Sequence, residues 1–179
     1  MIRDIVNVLP GFSVTDGQKI FTIRHGICFG MPSKEVIRIE RKNGFRYREY
    51  ETDDGSALYD SGYNYQLNYD VRGKSLGNIP LERFEYNFTQ ADKRLYQFYY
   101  VFGNNTAESF MTLSLALQQK FGQVADGGHA TEKCESVGSR VLLHHGWNFP
   151  EDENNYIIAA DLWTTILNRC FLAFERKRR

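Results

Sequence analysis

Tyr63-Asn64-Tyr65-Gln66-Leu67-Asn68-Tyr69-Asp70 alternates a ring or an aliphatic chain with an amide or an acid at every step. Successive side chains of a strand point to opposite faces, so this run reads as a strand with one buried and one wetted face. Phe84, Tyr86 and Phe88 repeat the pattern against Arg83, Glu85 and Asn87, and Phe45 to Tyr50 sets aromatics against Arg46, Arg48 and Glu49. Leu95 to Phe102 is apolar on both sides, which suits the middle of a sheet. Asp53-Asp54-Gly55-Ser56 and Arg72 to Asn78 read as the loops between these runs. Short connections favour antiparallel neighbours.

Helical spacing brackets this meander. Before it, Ser33 is placed to cap a helix, with Glu35 in the first turn, Val36, Ile37 and Ile39 as the apolar positions and Gly44 as the stop. After it, Asn105 with Glu108 three residues on forms a capping-box arrangement, and Phe110, Leu113, Leu117 and Phe121 make a core-facing stripe that Gly122 ends. Ile2, Ile5, Val6 and Leu9 form a short helix or an apolar leader, halted by Pro10-Gly11. Asp16-Gly17 is a turn, and Ile20 to Phe29 reads as one strand broken by Gly30-Met31-Pro32-Ser33. Gln123 to Gly138 reads as a loop, Pro150 to Asn155 as a turn, and Arg140 to Trp147, Tyr156 to Leu162 and Asn168 to Glu175 as strands. Trp163 to Leu167 fits either a strand or one helical turn.

Together these runs predict one α+β domain over residues 1–179, with a twisted antiparallel sheet of about seven to eight strands and two helices on one face. Residues 1–17 are a leader or short helix, 18–102 a helix plus meander and 103–179 a second helix plus meander. That order suggests a degenerate tandem repeat.

The run Phe21-Thr22-Ile23-Arg24-His25-Gly26-Ile27-Cys28-Phe29-Gly30-Met31-Pro32-Ser33-Lys34-Glu35-Val36 resembles the "R-N-G-I-x-W-G-M-S-x-E-E-V" opening of a group of small bacterial proteins. Phe88 to Phe102, then Phe110 to Gly122 ending Gln-Gln-Lys-Phe-Gly, is similar to their strand–helix segment ending "L-x-x-K-Y-G". The Gly-Met-x-x-x-x-Val element also resembles the SmpA/OmlA-type outer-membrane assembly lipoproteins and β-lactamase-inhibitor-protein-like folds. The resemblance spans roughly residues 20 to 122 and implies a module that binds proteins through its sheet or loops. His25 stands where the pattern has Asn. The lipoproteins carry an export signal and an acylated N-terminal cysteine; this chain has neither near its start, so membrane anchoring is not carried over.

At 179 residues, with 42% hydrophobic and 25% charged, the chain is long enough to bury a core without disulfides or metal. Its 11 Tyr and 13 Phe tilt the composition toward strands. Lys+Arg and Asp+Glu balance at 22 each, which argues against nucleic acid as a partner; the only basic run, Arg176 to Arg179, reads as a solvated end. Cys28, Cys134 and Cys170 cannot all pair, a pattern of reducing compartments. No apolar run approaches membrane-span length, and Met1 to Pro10 holds no signal-peptide core, so the expectation is cytoplasmic.

Chemistry-bearing motifs are scarce. Nucleotide-cradling glycine motifs, G-x-S-x-G and H-E-x-x-H are absent, and no cofactor is expected. His129, Cys134 and His144 are the most ligand-like set, but the spacing matches no standard zinc site, and adjacent His144 and His145 would face opposite ways on a strand. Cys28, at a strand end before the first long helix, is the better placed thiol for a nucleophile; a small buried hydrophobe is the alternative for Cys28 and for Cys170. Asp53-Asp54 and Glu151-Asp152-Glu153 read as solvated turn carboxylates. Two readings of function follow. The favoured one is a non-catalytic protein-binding module using an open sheet face that displays Arg46, Arg48, Asn64, Gln66, Asn68, Gln97 and Tyr99, a list that a merely solvated face also explains. The alternative is a small enzyme or ligand binder using Cys28 or the His129/Cys134/His144 set. No catalytic or metal-ligating residue is assigned.

Overall fold

The computed structural model describes residues 2–51, 65–103, 106–124, 126–128, 133–134, 139–150, 156–165 and 169–178. The chain opens with α1 (Ile2–Val8), the strands β1 (Gly11–Thr15), β2 (Gln18–Arg24) and β3 (Ile27–Cys28), and α2 (Ser33–Lys42). Then come β4 (Arg48–Glu51), β5 (Tyr65–Asp70), the two-residue strands β6 (Ser75–Leu76) and β7 (Ile79–Pro80), β8 (Arg83–Phe88), β9 (Leu95–Gly103) and α3 (Thr106–Phe121). β10 (Asp126–Gly128), β11 (Lys133–Cys134), β12 (Ser139–Pro150), β13 (Tyr156–Thr165) and β14 (Arg169–Arg178) complete it.

Among the described residues the main sheet has nine strands in the order β10-β12-β13-β14-β9-β8-β5-β4, with β11 also paired to β12, and every pairing is antiparallel. One meander runs inward from β4 to β9 and the other from β12 to β14, so the last strand of each half meets its counterpart at the centre. A helix precedes each meander, α2 the first and α3 the second. β9 sits near the middle of the sheet, where the sequence pattern places it, although its far side carries Gln97 and Tyr99. The expected segregation into one α+β sheet with helices on one face is observed. Beyond it there are a ninth strand, a third helix and two small sheets, β1-β2-β3 and β6-β7.

Which face the helices cover follows from register. Leu67, Tyr86, Phe98, Phe174, Ala160 and Trp147 stand side by side across the sheet, all buried. Tyr86 meets Glu40 of α2, and the Trp147 indole donates to the Gly122 carbonyl at the end of α3. Both helices therefore lie on this near face. Burying each large ring of the row stabilises the fold by roughly 1.5–3 kcal/mol. At seven residues α1 is too short to persist alone. It packs beside α3, whose Lys120 ammonium donates to the Val6 and Leu9 carbonyls at 2.9 and 2.6 Å. Burial pushes the Lys120 pKa down.

Several local expectations are corrected. Ser33 does not cap α2: Pro32 holds the cap position, no side chain caps the helix, and the Ser33 amide donates to the Lys93 carbonyl instead. Ser33 is one residue inside the helix, and the Glu35 and Val36 amides that it would cap donate to the Pro32 carbonyl. Gly44 does stop the helix. It has φ +84°, its amide donates to Arg41 and the Phe45 amide donates back to Glu40, the paired bonds of a Schellman motif. The expected Ile20–Phe29 strand folds back on itself at His25-Gly26, both at positive φ, giving the β2–β3 hairpin; the resembling pattern has Asn at the same tight-turn position. Arg72 to Asn78, read as loop, contains β6 and ends one residue before β7, and the Gln123–Gly138 loop contains β10 and β11 along the β12 edge. Trp163 to Thr165 is strand. Asp53 to Ser56, Tyr63 and Asn105 lie outside the described residues.

The densest polar knot lies beneath α2. Glu40 is fully buried, its carboxylate accepting a 2.5 Å hydrogen bond from the Tyr86 hydroxyl. Arg24 Nε stands 3.1 Å from the same oxygen, at ion-pair distance without hydrogen-bond alignment. The guanidinium lies 4.2 Å from the Phe84 ring and 4.7 Å from Phe45. Burial, then the Glu40 charge, pushes the Tyr86 phenol well up, and burial takes Tyr100 to about 12. Removing one member of a buried pair leaves the other uncompensated. Glu40→Leu is therefore expected to lower unfolding free energy by about 3–5 kcal/mol in urea titrations. The triple variant Arg24→Leu, Glu40→Leu, Tyr86→Phe is expected to regain most of that. A triple variant as unstable as Glu40→Leu alone would show that packing, and not the stranded charge, sets the cost.

Candidate functional site

On the far face of the sheet, register assembles two polar rows. Arg48, Asn68, Glu85 and Tyr99 are cross-strand neighbours on β4, β5, β8 and β9. Gln66, Asn87, Gln97 and Glu175 are neighbours on β5, β8, β9 and β14. Their amides form two relays. Asn68 donates to Gln66 at 3.3 Å and Gln66 to Glu85 at 2.9 Å. Asn87 donates to Gln97 at 2.8 Å and Gln97 to Glu175 at 3.4 Å. Each relay ends on a carboxylate that takes the last N–H. Each also starts from an Asn whose buried Oδ1 has no hydrogen-bond partner among the described residues. Arg83 Nε closes on Glu85 at 2.5 Å, and Lys177 stands 3.4 Å from Glu175. Burial pushes the Glu175 carboxyl up, and Lys177 opposes it.

Next to these rows the far face turns apolar. Val101, Phe171 and Trp163 continue the row begun by Asp70 and Arg83, and all three are buried with Ala173 against Tyr99. Trp163 stacks on Phe171 at 5.2 Å and meets the Tyr99 ring edge-on at 5.9 Å. Amides that were expected to look outward are in fact half-buried, and Asn87 is buried. Hydrogen bonding among same-face side chains is the physical reason: each relay holds its amides along the sheet.

At the end of this face, where β5 leaves the sheet and β8 enters it, lies a cavity of about 740 Å³. Its walls are Arg48, Asn68, Asp70, Arg72, Gly73, Pro80, Leu81, Glu82, Arg83 and Gly103. Arg72 clamps Asp70 with its guanidinium, while its backbone amide donates to Asp70 Oδ1 at 3.1 Å. That clamp holds the Asp70 carboxyl at about 2. Arg83 pairs with Glu82 as well as Glu85, and Arg169 stands 3.6 Å from Glu82. Among the described residues, Arg48 alone of the three wall arginines has no carboxylate within ion-pair distance.

Five of the seven site residues expected from sequence thus share one face: Arg48, Gln66, Asn68, Gln97 and Tyr99. Arg46 does not join them. It precedes β4 and lines a separate recess of about 350 Å³ with Arg41, Phe45 and Tyr47. Asn64 lies outside the described residues. The sequence reading missed the cavity residues Asp70, Arg72 and Glu82. An Asp at a strand end, two residues before an amide it can accept and three before a glycine, was the available signal for the Asp70–Arg72 turn.

Of the alternative candidates, Cys28 lies in the small β1-β2-β3 sheet and His144 in the main sheet. Cys28 Sγ donates to the Gly26 carbonyl at 3.4 Å and lies 3.9 Å from the Thr22 hydroxyl, neither of them a base that would take its proton. His144 and His145 do face opposite ways: His144 Nε2 meets Asp161 at 2.9 Å on the far face, while His145 Nδ1 shares a 2.6 Å hydrogen bond with Ser114 of α3. Burial, then the His144 charge, pushes His145 down. His129 and the Cys134 side chain lie outside the described residues, and among those described no three His, Cys, Asp or Glu side chains converge on a point. Cys170 is fully buried, and burial takes its thiol to about 12. Under native iodoacetamide labelling at pH 8, Cys28 is expected to react no faster than a free cysteine, and Cys170 only after denaturant is added. Accelerated Cys28 alkylation would revive the nucleophile reading.

Among the described residues no helix is long and apolar enough to cross a membrane. No protein-family model, curated protein or solved structure matches the chain.

Proposed function

We propose that this protein is a non-catalytic binding module that docks another protein on the far face of its main sheet. The observation that carries the reading is the pair of amide relays. A ligand-free surface of mobile amides would have to be ordered on binding, at roughly 0.5–1.5 kcal/mol per immobilised side chain. Here Asn68, Gln66, Asn87 and Gln97 are already held by one another and by Glu85 and Glu175. Preorganisation of this kind favours recognition, and Tyr99 with Arg48 supplies the residue types that dominate interface energies.

The resemblance of residues 20 to 122 to SmpA/OmlA-type lipoproteins and β-lactamase-inhibitor-protein-like folds implies protein binding through a sheet or loops. The enzyme alternative receives less support, because neither described cavity is lined by Cys28 or His144.

The test is a pull-down from the source cells, followed by titration of any captured protein against the wild type and variants by surface plasmon resonance. Arg48→Ala and Tyr99→Ala are expected to weaken binding at least tenfold. Met111→Ser, on the exposed outer side of α3, is expected to leave it unchanged. Circular dichroism confirms that each variant is folded. Equal affinity for all three variants would place the interface elsewhere on the molecule.

A further inference from the structure

The cavity at the margin of the far face has a charge balance that identifies what it can receive. Three guanidinium groups, of Arg48, Arg72 and Arg83, face two carboxylates, of Asp70 and Glu82. Widening the count to the flanking Arg169 and Glu85 leaves the same excess, four cations against three anions. Arg72 and Arg83 are committed to these acids at 2.5 to 2.8 Å. The excess positive charge therefore centres on Arg48, which is exposed, acts on Asp70 only through longer-range attraction and, among the described residues, has no carboxylate at ion-pair distance. Its cross-strand neighbour is Asn68, the head of the first relay, so the guanidinium stands where the docking face and the cavity meet.

We propose that this cavity receives one acidic side chain of the docked protein, bound as a monoanion by the Arg48 guanidinium. The inference rests on the docking role assigned to the far face. A carboxylate matches the planar fork of a guanidinium and neutralises a single excess charge. A dianionic phosphate would overshoot that balance and be repelled by Asp70 and Glu82. An apolar anchor would leave Arg48 desolvated and unpaired, which is costly. The volume, about 740 Å³, accommodates an Asp or Glu side chain with water around it.

The experiment needs no partner. The ¹⁵N-labelled full chain is titrated in low salt with the capped tripeptide Ac-Gly-Glu-Gly-NH₂, its glutamine counterpart Ac-Gly-Gln-Gly-NH₂, and inorganic phosphate. Saturable shifts of the Asn68, Gly73, Arg83 and Gly103 amides are expected with the glutamate peptide, at least tenfold tighter than with the glutamine peptide or phosphate. Raising the sodium chloride to 0.5 M should weaken them, because the pair is partly exposed. Arg48→Gln should abolish the difference between the peptides, Arg48→Lys should retain part of it, and Arg41→Gln should not alter it. Phosphate binding as tightly as the glutamate peptide, or a glutamate preference that survives Arg48→Gln, overturns the proposal. If the peptides do not discriminate while Tyr99→Ala still weakens a captured partner, the cavity assignment fails and the docking face stands. If glutamate binds but no far-face variant affects a partner, the docking reading fails instead.

Discussion

A buried carboxylate is the constraint on which the arrangement turns. Glu40 has no solvent exposure, so its charge has to be met from within the molecule. Arg24 comes from the small hairpin sheet and Tyr86 from the main sheet, and both close on one oxygen of a helix that belongs to neither. Three separate layers are tied at that point. Sliding α2 along the sheet would strand a charge in an apolar interior, so the pair selects one position for the helix even if apolar residues of equal volume would stabilise it as well. The Schellman turn after Glu40 adds to this: the Phe45 amide bonds back to the Glu40 carbonyl, and the Phe45 ring comes to lie 4.7 Å from the Arg24 guanidinium.

With α2 and α3 on one face, the opposite face loses the usual means of burying amides. Gln66, Asn68, Asn87 and Gln97 instead donate in two chains, Asn68 to Gln66 along β5 and Asn87 to Gln97 across strands, that terminate on Glu85 and Glu175. The relays are a consequence of strand geometry: directly opposed same-face neighbours lie about 5 Å apart and diagonal ones about 7–8 Å, distances that long amide side chains span. Where the rows reach Val101, Phe171 and Trp163, ring stacking replaces hydrogen bonding. Where they reach β4, Arg48 is left, among the described residues, without a carboxylate at ion-pair distance. The docking reading and the acidic-anchor reading thus come from the two ends of one pattern.

Much of this was legible in residue order. Alternation in Tyr65 to Asp70 and Arg83 to Phe88 assigns each side chain to a face, and the spacing of Phe110, Leu113 and Leu117 marks the buried side of α3, because both periodicities are properties of a single strand or helix. Gly44 was readable for the same reason: a left-handed residue after a helix is a local demand. Gln66, Asn68, Gln97, Tyr99 and Arg48 could therefore be placed together from the chain alone. Arg46 could not be excluded, because parity continues on paper past the residue where β4 begins.

Other features depend on which segments become neighbours. Ser33 is an adequate cap by composition, yet the helix starts one residue early, at Pro32, with the Ser33 amide held by the Lys93 carbonyl, and nothing within ten residues of Ser33 announces that. Glu40 reads as one more charge near a helix end until Arg24 and Tyr86 arrive from 16 and 46 residues away. The Asp70–Arg72 clamp was within local reach; its meeting with Arg48 and Glu82 was not, since β4 and β8 bring those residues in by strand pairing. Periodicity is decided by bonded neighbours and survives in the sequence. Charge pairing and cavity walls are decided by contacts between distant segments, and only the folded chain selects them.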